Sequence, residues 1–162
     1  MKKDNIFIFD LDGTTIDSGH RVGGGSLPSW FNNNTAENIL KDTPMYLGQF
    51  IGILFNLGFK VLICTSRTLG KADYEFLYTK LYLPVGVKII SRDKGDNREP
   101  NVYKKERLSY LANFKQFKEC EKVLIDDNSD VRTSFRELGE NCKAWDIPYA
   151  TKAFNHIFGW SS

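Results

Sequence analysis

Residues 7–15 read FIFDLDGTT. An apolar run ends in Asp10, passes through Leu11 to Asp12, and breaks at Gly13. The stretch from Asn5 to Asp10 is short and apolar on both parities, the pattern of a strand buried on both faces. Side chains on a strand alternate, so residues two apart share a face. If the extended geometry continues past Asp10, the carboxylates of Asp10 and Asp12 point into one small space. Two anions there repel each other unless a cation or a shared proton intervenes.

The same short apolar pattern recurs at 60–65 (KVLICT), 86–91 (GVKIIS) and 123–126 (VLID), and a last short strand is expected at 142–145. Helical signals lie between these runs. Pro44 suits the first turn of a helix, Leu47, Phe50, Ile51, Leu54 and Phe55 follow at helical spacing, and Gly58 suits its stop. Tyr74, Leu77, Tyr78 and Leu81 form a second stripe, which ends before Pro84. A third helix is expected over 101–118, and Val131, Phe135 and Leu138 mark a fourth, stopped at Gly139. Residues 13–43 are irregular and rich in Gly, Ser and Asn, with a flexible tip at Gly23, Gly24 and Gly25. Alternation of strand and helix predicts an α/β, Rossmann-like three-layer sandwich around a mostly parallel sheet. Ligands of such sheets bind beyond the carboxyl ends of the strands. The polar residues placed there are Asp10 and Asp12; Thr65, Ser66 and Arg67; Ser91 and Arg92; and Asp126 and Asp127.

A length of 162 residues suits one domain over 1–162, with a flap or small insertion at about 15–43. No apolar window is long enough to span a bilayer. The amino-terminal MKKDNIFIF runs into Asp10 too soon to be a signal peptide. Cys64, Cys120 and Cys142 are odd in number with no C-x-x-C spacing, so a reduced cytoplasmic setting with cysteines as small core residues is expected. A net charge of +2 is too weak to predict tight binding along a nucleic-acid polymer.

An aspartate at a strand end often only caps a turn or a helix. Here Asp10 and Asp12 are joined, much later, by Asp126-Asp127 at the end of another apolar strand. An all-oxygen cluster of this kind suits Mg²⁺, and no His/Cys set at zinc spacing competes.

Asp10-Leu11-Asp12-Gly13-Thr14 resembles the first motif of the haloacid dehalogenase superfamily. VLICTSR resembles its second motif, a later helical lysine its third, and VLIDD its acidic fourth. The resemblance covers nearly the whole chain. It implies that Asp10 is a nucleophile toward phosphorus, forming an aspartyl phosphate, and that Asp12 is general acid and then base. It implies Mg²⁺ held by the carboxylates of Asp10 and Asp126 and the main-chain carbonyl of Asp12, with Asp127 as direct ligand or orienter of bound water. Thr65 would donate to a phosphoryl oxygen, alongside Ser66. Gly13 would let main-chain N–H groups face the phosphate. The second Asp favours a phosphatase over a dehalogenase. For the lysine, Leu108, Leu111 and Ala112 define the buried stripe, and Lys104 lies nearer its centre than Lys105.

A narrower resemblance is to the 3′-phosphatase domain of bacteriophage polynucleotide kinase–phosphatases. SRDKGDNREPNVYKKERL and VLIDDNSDVRTSFRELGENCKAW carry it, through Arg92, Gly95, Asp96, Arg98, Lys104, Asp126, Asp127, Arg136, Gly139, Cys142 and Trp145. Arg21 and Arg67 match arginines that the family uses near the phosphate. The kinase P-loop is absent. Intervals too short for a large cap domain imply an open site. The expected substrate is therefore a nucleic-acid 3′-phosphate end or a nucleotide. The alternatives are a phosphatase of free nucleoside monophosphates or another small metabolite, and a non-catalytic domain that keeps the fold. Trp30 and Phe31 either stack on a base or pin the flap to the core. Arg92 and Arg98 contact substrate or pair with nearby acids, His20 reads as a polar loop residue, and Asn128 and Asp130 as helix caps.

Overall fold

A computed structural model of the chain describes residues 4–21 and 35–160, apart from the Arg21 side chain. Five strands form one parallel sheet: β1 (Ile6–Phe9), β4 (Lys60–Cys64), β5 (Lys88–Ile90), β6 (Lys122–Ile125) and β7 (Cys142–Trp145). Their order is β5-β4-β1-β6-β7. The chain steps outward from β1 to β5, then returns to β1's other side at β6, so the order reverses at β1. That reversal opens a crevice at the carboxyl end of β1.

The helices are α1 (Ala36–Ile39), α2 (Gln49–Asn56), α3 (Lys71–Thr79), α4 (Pro100–Leu108), α5 (Tyr110–Asn113), α6 (Lys115–Lys118), α7 (Ser129–Arg136) and α8 (Ile147–Ile157). Strand alternation sorts them into two layers. Phe7, Phe9, Val61, Ile63, Val123 and Ile125 pack with Phe50 and Leu54 of α2, Phe76 and Leu77 of α3, and Phe154 of α8. Ile6, Ile8, Cys64, Ile90 and Leu124 face the other way, onto Leu108 of α4, Leu111 of α5, and Val131 and Phe135 of α7. In the first layer Phe50 stacks on Phe154 at 4.8 Å between ring centres. Each such buried ring contributes about 1.5–3 kcal/mol. Cys64, Cys120 and Cys142 are free and buried.

The expected strands agree with those observed to within two residues at each end. The helices differ more. Pro44 does not begin a helix; Thr43–Pro44 is a short strand, β3, antiparallel to β2 (Ile16–Asp17). The N–H of Met45 donates to the carbonyl of Thr15, which fastens the returning chain to the turn after β1. The helix starts later, at Gln49, and Gly58 follows its end with φ +95°. The stretch expected as one helix over 101–118 is three pieces: it is interrupted at Ser109, and an extended Phe114 (φ −75°, ψ 132°) separates the last two. On α3, Tyr74 and Tyr78 are exposed, and the buried face carries Asp73, Phe76 and Leu77. The tip at Gly23, Gly24 and Gly25, and Trp30 and Phe31, lie outside the described residues. Among the described residues no helix is long and apolar enough to cross a membrane.

Candidate active site

The parity that sorts the core also aims the acids. Asp10 continues the face of Ile6 and Ile8, and Asp126 that of Leu124, toward the layer that contains α4 and α7. β1 and β6 pair with Phe9 opposite Ile125, so Asp10 and Asp126 stand side by side one step further on. The ladder holds them there: Asp10 N–H donates to the Ile125 carbonyl at 3.0 Å, and Asp126 N–H to the Trp145 carbonyl at 3.2 Å.

Helix α4 begins with Pro100 near the carboxyl edge of the sheet and descends along it, so its early turns lie closest to the strand ends. Helical side chains lean toward the amino end. Lys104 uses that lean, and its Nζ donates to Asp10 Oδ1 at 2.8 Å and to Asp126 Oδ2 at 2.7 Å. Its residue is 3% exposed. Lys105 points outward and lies 3.7 Å from Glu137. Burial alone would lower the Lys104 pKa, but the Asp10 and Asp126 carboxylates override it and raise the pKa.

Asp10, Asp126 and Asp127 each offer a carboxylate oxygen, all within 4.8 Å of one another. Burial pushes Asp10 well above the usual carboxylate range; Lys104 pulls it down, and Asp126 pushes it up again. Burial likewise raises Asp127, with Asp10 hydrogen bonding opposing and Asp126 reinforcing. Three clustered carboxylates share one buried ammonium, and the oxygen-only donor set fits Mg²⁺.

Several residues fix these acids. Thr14 Oγ1 donates to Asp10 Oδ2 at 3.0 Å and accepts from Asp127 N–H at 3.1 Å, so one hydroxyl ties both strand ends together. Thr15 Oγ1 donates to the Asp10 carbonyl at 2.8 Å. Asn128 N–H donates to Asp126 Oδ1 at 3.0 Å, and Arg132 Nη1 to the Asp126 carbonyl at 3.0 Å. Sequence spacing carries no signal for the contacts of Thr15 and Arg132, whereas Thr14, a short hydroxyl close to an acid within the quoted motif, carries one. Asn128 caps α7 by accepting from the N–H groups of Asp130 and Val131, whereas Asp130 lies in the first turn.

Gly13 has φ +77°, in the left-handed region, and a Cβ there would overlap Asp127 Oδ2. Both conditions call for glycine. Gly13→Ala is expected to cost about 1–2 kcal/mol in urea denaturation and to weaken Mg²⁺ binding measured by calorimetry, because Asp127 must move. Unchanged metal affinity would remove Asp127 from the ligand set.

Asp12 does not share Asp10's pocket. The chain turns directly after Leu11, whose carbonyl accepts from the N–H groups of Thr14, Thr15 and Ile16. The extended geometry needed to keep Asp10 and Asp12 parallel therefore ends at Leu11. Asp12 instead accepts from Arg67, Nε to Oδ2 at 2.8 Å and Nη2 to Oδ1 at 2.6 Å, and from Ser18 Oγ at 2.6 Å. Its carboxylate lies outside the group formed by Asp10, Asp126 and Asp127.

Arg67 was expected at the phosphate. Its guanidinium also donates to Asp42 Oδ2 and Asp73 Oδ1, each at 2.9 Å. Four of its five N–H directions are thus committed to carboxylates, and it acts as a buried clamp on Asp12. Asp42 precedes β3 and Asp73 comes from α3, so neither was visible as a partner from sequence spacing. His20 Nε2 lies 2.8 Å from the Asn38 carbonyl and 3.6 Å from Asp42 Oδ1. The backbone of Arg21 ends a 3₁₀ turn, Gly19–Arg21; its side chain lies outside the described residues.

Thr65 is fully buried at the end of β4, and its Oγ1 accepts from Arg67 N–H at 3.0 Å, leaving its own proton to donate. Ser66 Oγ is buried with no hydrogen-bond partner among the described residues. Arg92 fastens the neighbouring loop: Nε donates to the Ser66 carbonyl at 2.8 Å, Nη1 to the Arg98 carbonyl at 2.8 Å, and its guanidinium lies 4.6 Å from the Tyr103 ring centre. Arg98 pairs with Asp96, and its hydrogen bonds hold the Asp96 carboxyl down at about 2. Both arginines thus meet neighbouring acids and backbone.

A family model described as Bacteriophage T5 5′-deoxynucleotidase matches residues 1–147. The 5′-deoxynucleotidase of Escherichia phage T5 is 27% identical over 156 residues, covering 83% of this chain and 64% of that protein. The chain thus spans less than two thirds of that relative's length. Among solved structures, a hydrolase from Streptococcus pneumoniae TIGR4 gives a TM-score of 0.61 at 12% identity, over 98% of this chain and 100% of that one. A chain from the Pnkp1/Rnl/Hen1 RNA repair complex gives 0.59 at 21% identity, over 89% of this chain and 42% of that one. A haloacid dehalogenase-like hydrolase from Streptococcus pneumoniae gives 0.59 at 14% identity, over 86% and 83%. These structural likenesses show the fold, which is that of haloacid dehalogenase-like hydrolases. The match over residues 1–147 is more specific, and by it the chain belongs to the Bacteriophage T5 5′-deoxynucleotidase family.

Proposed function

We propose that this chain is a Mg²⁺-dependent phosphomonoesterase acting on deoxynucleoside 5′-monophosphates. The observation that carries the reading is the placement of Lys104 between Asp10 and Asp126, beside Asp127, at the sheet's switch point. Family membership supports this substrate class. It favours the free nucleotide, held as an alternative in the sequence reading, over a nucleic-acid 3′ end.

Asp10, Asp126 and Asp127 would hold Mg²⁺, with the main-chain carbonyl of Asp12 as a further donor. Bound there, the ion would offset phosphate charge and let an anionic nucleophile approach. Asp10 attacks phosphorus, the bond from phosphorus to the sugar oxygen breaks, and Asp12 gives that oxygen its proton. Water then attacks the aspartyl phosphate, Asp12 takes the water's proton, and inorganic phosphate leaves. Lys104 keeps Asp10 aimed and opposes the burial that disfavours its charge. Thr65 and Ser66 supply hydroxyl donors to phosphoryl oxygens. Arg67 donates to both oxygens of the Asp12 side chain, an arrangement that suits a base in the second half-reaction; the first requires a proton on Asp12 and a looser grip by Arg67.

Phosphate release from deoxynucleoside 5′-monophosphates, 3′-monophosphates, a 3′-phosphorylated oligonucleotide and an aryl phosphate, with Mg²⁺ and with EDTA, tests this reading. Metal-dependent release preferring the 5′-monophosphates is expected. A preference for the oligonucleotide would restore the 3′-end reading, and no release from any of them would point to a binding protein.

The raised Asp10 and Asp127 carboxyls give a pH prediction. A ligand with a raised pKa retains its proton at higher pH and must lose it before binding metal. Mg²⁺ affinity measured by calorimetry should therefore rise with pH beyond the ordinary carboxylate range, with protons released on binding. Affinity flat across that range would contradict it.

A further inference from the structure

Strand β7 is the open edge of the sheet on the return side, and a groove of about 510 Å³ runs along it. Its lining includes Arg132, Arg136, Lys143, Trp145, Asp146 and Tyr149. Arg136 Nη2 donates to the Ala144 carbonyl at 2.8 Å, which caps an outward-facing acceptor of the edge strand. Arg132 is anchored in the same way to the Asp126 carbonyl. Each guanidinium is thus fixed through backbone, and among the described residues neither has a carboxylate partner. Lys143 lies 3.9 Å from Glu121, and Asp146 is occupied as the cap of α8, accepting from Tyr149 N–H at 2.9 Å.

The aromatic half is equally defined. The Trp145 and Tyr149 rings lie 5.2 Å apart, tilted by 53°. Trp145 is held from below by Phe154 at 5.8 Å, whereas Tyr149 is 58% exposed. An exposed aromatic face braced by the core is a platform for an unpaired base.

Arg132 and Arg136 arise one helical turn apart, about 6 Å along the axis, and both line the same groove. Two cations in succession beside a π-face suit the phosphates and bases of a single strand. The groove also meets the catalytic centre, since Arg132 and the Trp145 carbonyl both bond the backbone of Asp126.

We propose that the β7-edge groove binds single-stranded nucleic acid, with phosphates on Arg132 and Arg136 and a base on Tyr149. Duplex is excluded from this mode because its bases are already stacked on one another. This goes beyond the mononucleotide reading, because a mononucleotide has no second phosphate to offer.

The test uses the full chain with Mg²⁺ and a fluorescein-labelled single-stranded oligodeoxynucleotide of about 10 residues with no terminal phosphate, followed by anisotropy. Arg136→Gln removes the charge and keeps a shorter polar side chain at the exposed sheet edge, and Tyr149→Ala removes an exposed ring. Each is expected to weaken oligonucleotide binding about tenfold, and Arg136→Gln to reduce the salt dependence by about one ion. Hydrolysis of a deoxynucleoside 5′-monophosphate should be unchanged in both. An oligonucleotide that wild type does not bind, or that both variants bind as wild type does, overturns the proposal. A wild type that binds the strand but hydrolyses no mononucleotide leaves the groove standing and refutes the catalytic reading instead.

Discussion

Asp10→Asn is expected to reduce phosphate release by about 10⁴-fold or more while leaving the protein folded. An amide has almost no nucleophilicity toward phosphorus, so the step proposed for Asp10 would have no substitute in the site. The shape is preserved. The amide oxygen can still accept from Lys104 Nζ where Asp10 Oδ1 does at 2.8 Å, and Thr14 Oγ1 can accept from the amide nitrogen instead of donating. Burial already disfavours charge at Asp10, so a neutral isostere removes a desolvation cost. Thermal unfolding near the wild-type value, combined with lost release, separates nucleophile from scaffold. Activity within about tenfold of wild type would place the nucleophile elsewhere.

The parts of this site that were legible in the sequence are those set by local periodicity. Alternation in IFIF and VLI fixes which way Asp10 and Asp126 face, and helical phase distinguishes Lys104 from Lys105. The Asp12 side chain escaped the same logic because alternation holds only while the backbone stays extended. The turn closed on the Leu11 carbonyl is a hydrogen-bonding event that apolar pattern does not encode. The contacts of Arg67 are hidden from the sequence for a related reason: its place after a strand end is legible, but its partners Asp42 and Asp73 come from remote segments that only folding brings together. Pro44 was read as a helix start because proline suits that position, yet pairing with Ile16 draws it into a strand. Helix α8 has a local signature only at its start, where Asp146 is an N-cap and Pro148 an early-turn proline. Its packing of Phe154 against Phe7, Phe9 and Phe50 is tertiary and had no local signature.

Lys104→Met carries the second large expected effect, on stability as well as activity. The lysine is buried and bonds two carboxylates from adjacent strands. Methionine preserves the stem but leaves Asp10 and Asp126 without their shared cation, a change that costs about 3–5 kcal/mol when one member of a buried pair is removed. The cost should depend on two conditions that a packing defect would not follow. Mg²⁺ supplies charge to the same carboxylates, so it should restore more stability to the variant than it adds to wild type, about 2.7 kcal/mol at a hundredfold excess over its dissociation constant. Acid should act in the same direction. Without the ammonium, the already raised Asp10 carboxyl moves further above its unfolded value, and a proton then neutralises it in the folded state. The deficit is therefore largest at high pH and shrinks as pH falls through that raised pKa. Urea denaturation of both proteins, in EDTA and in Mg²⁺, at neutral and acidic pH, resolves the matter. A deficit insensitive to both metal and pH would mean that Lys104 stabilises by packing alone. A deficit that either cation repairs would establish that the strand ends hold one excess of negative charge, shared between the lysine, the metal and the proton.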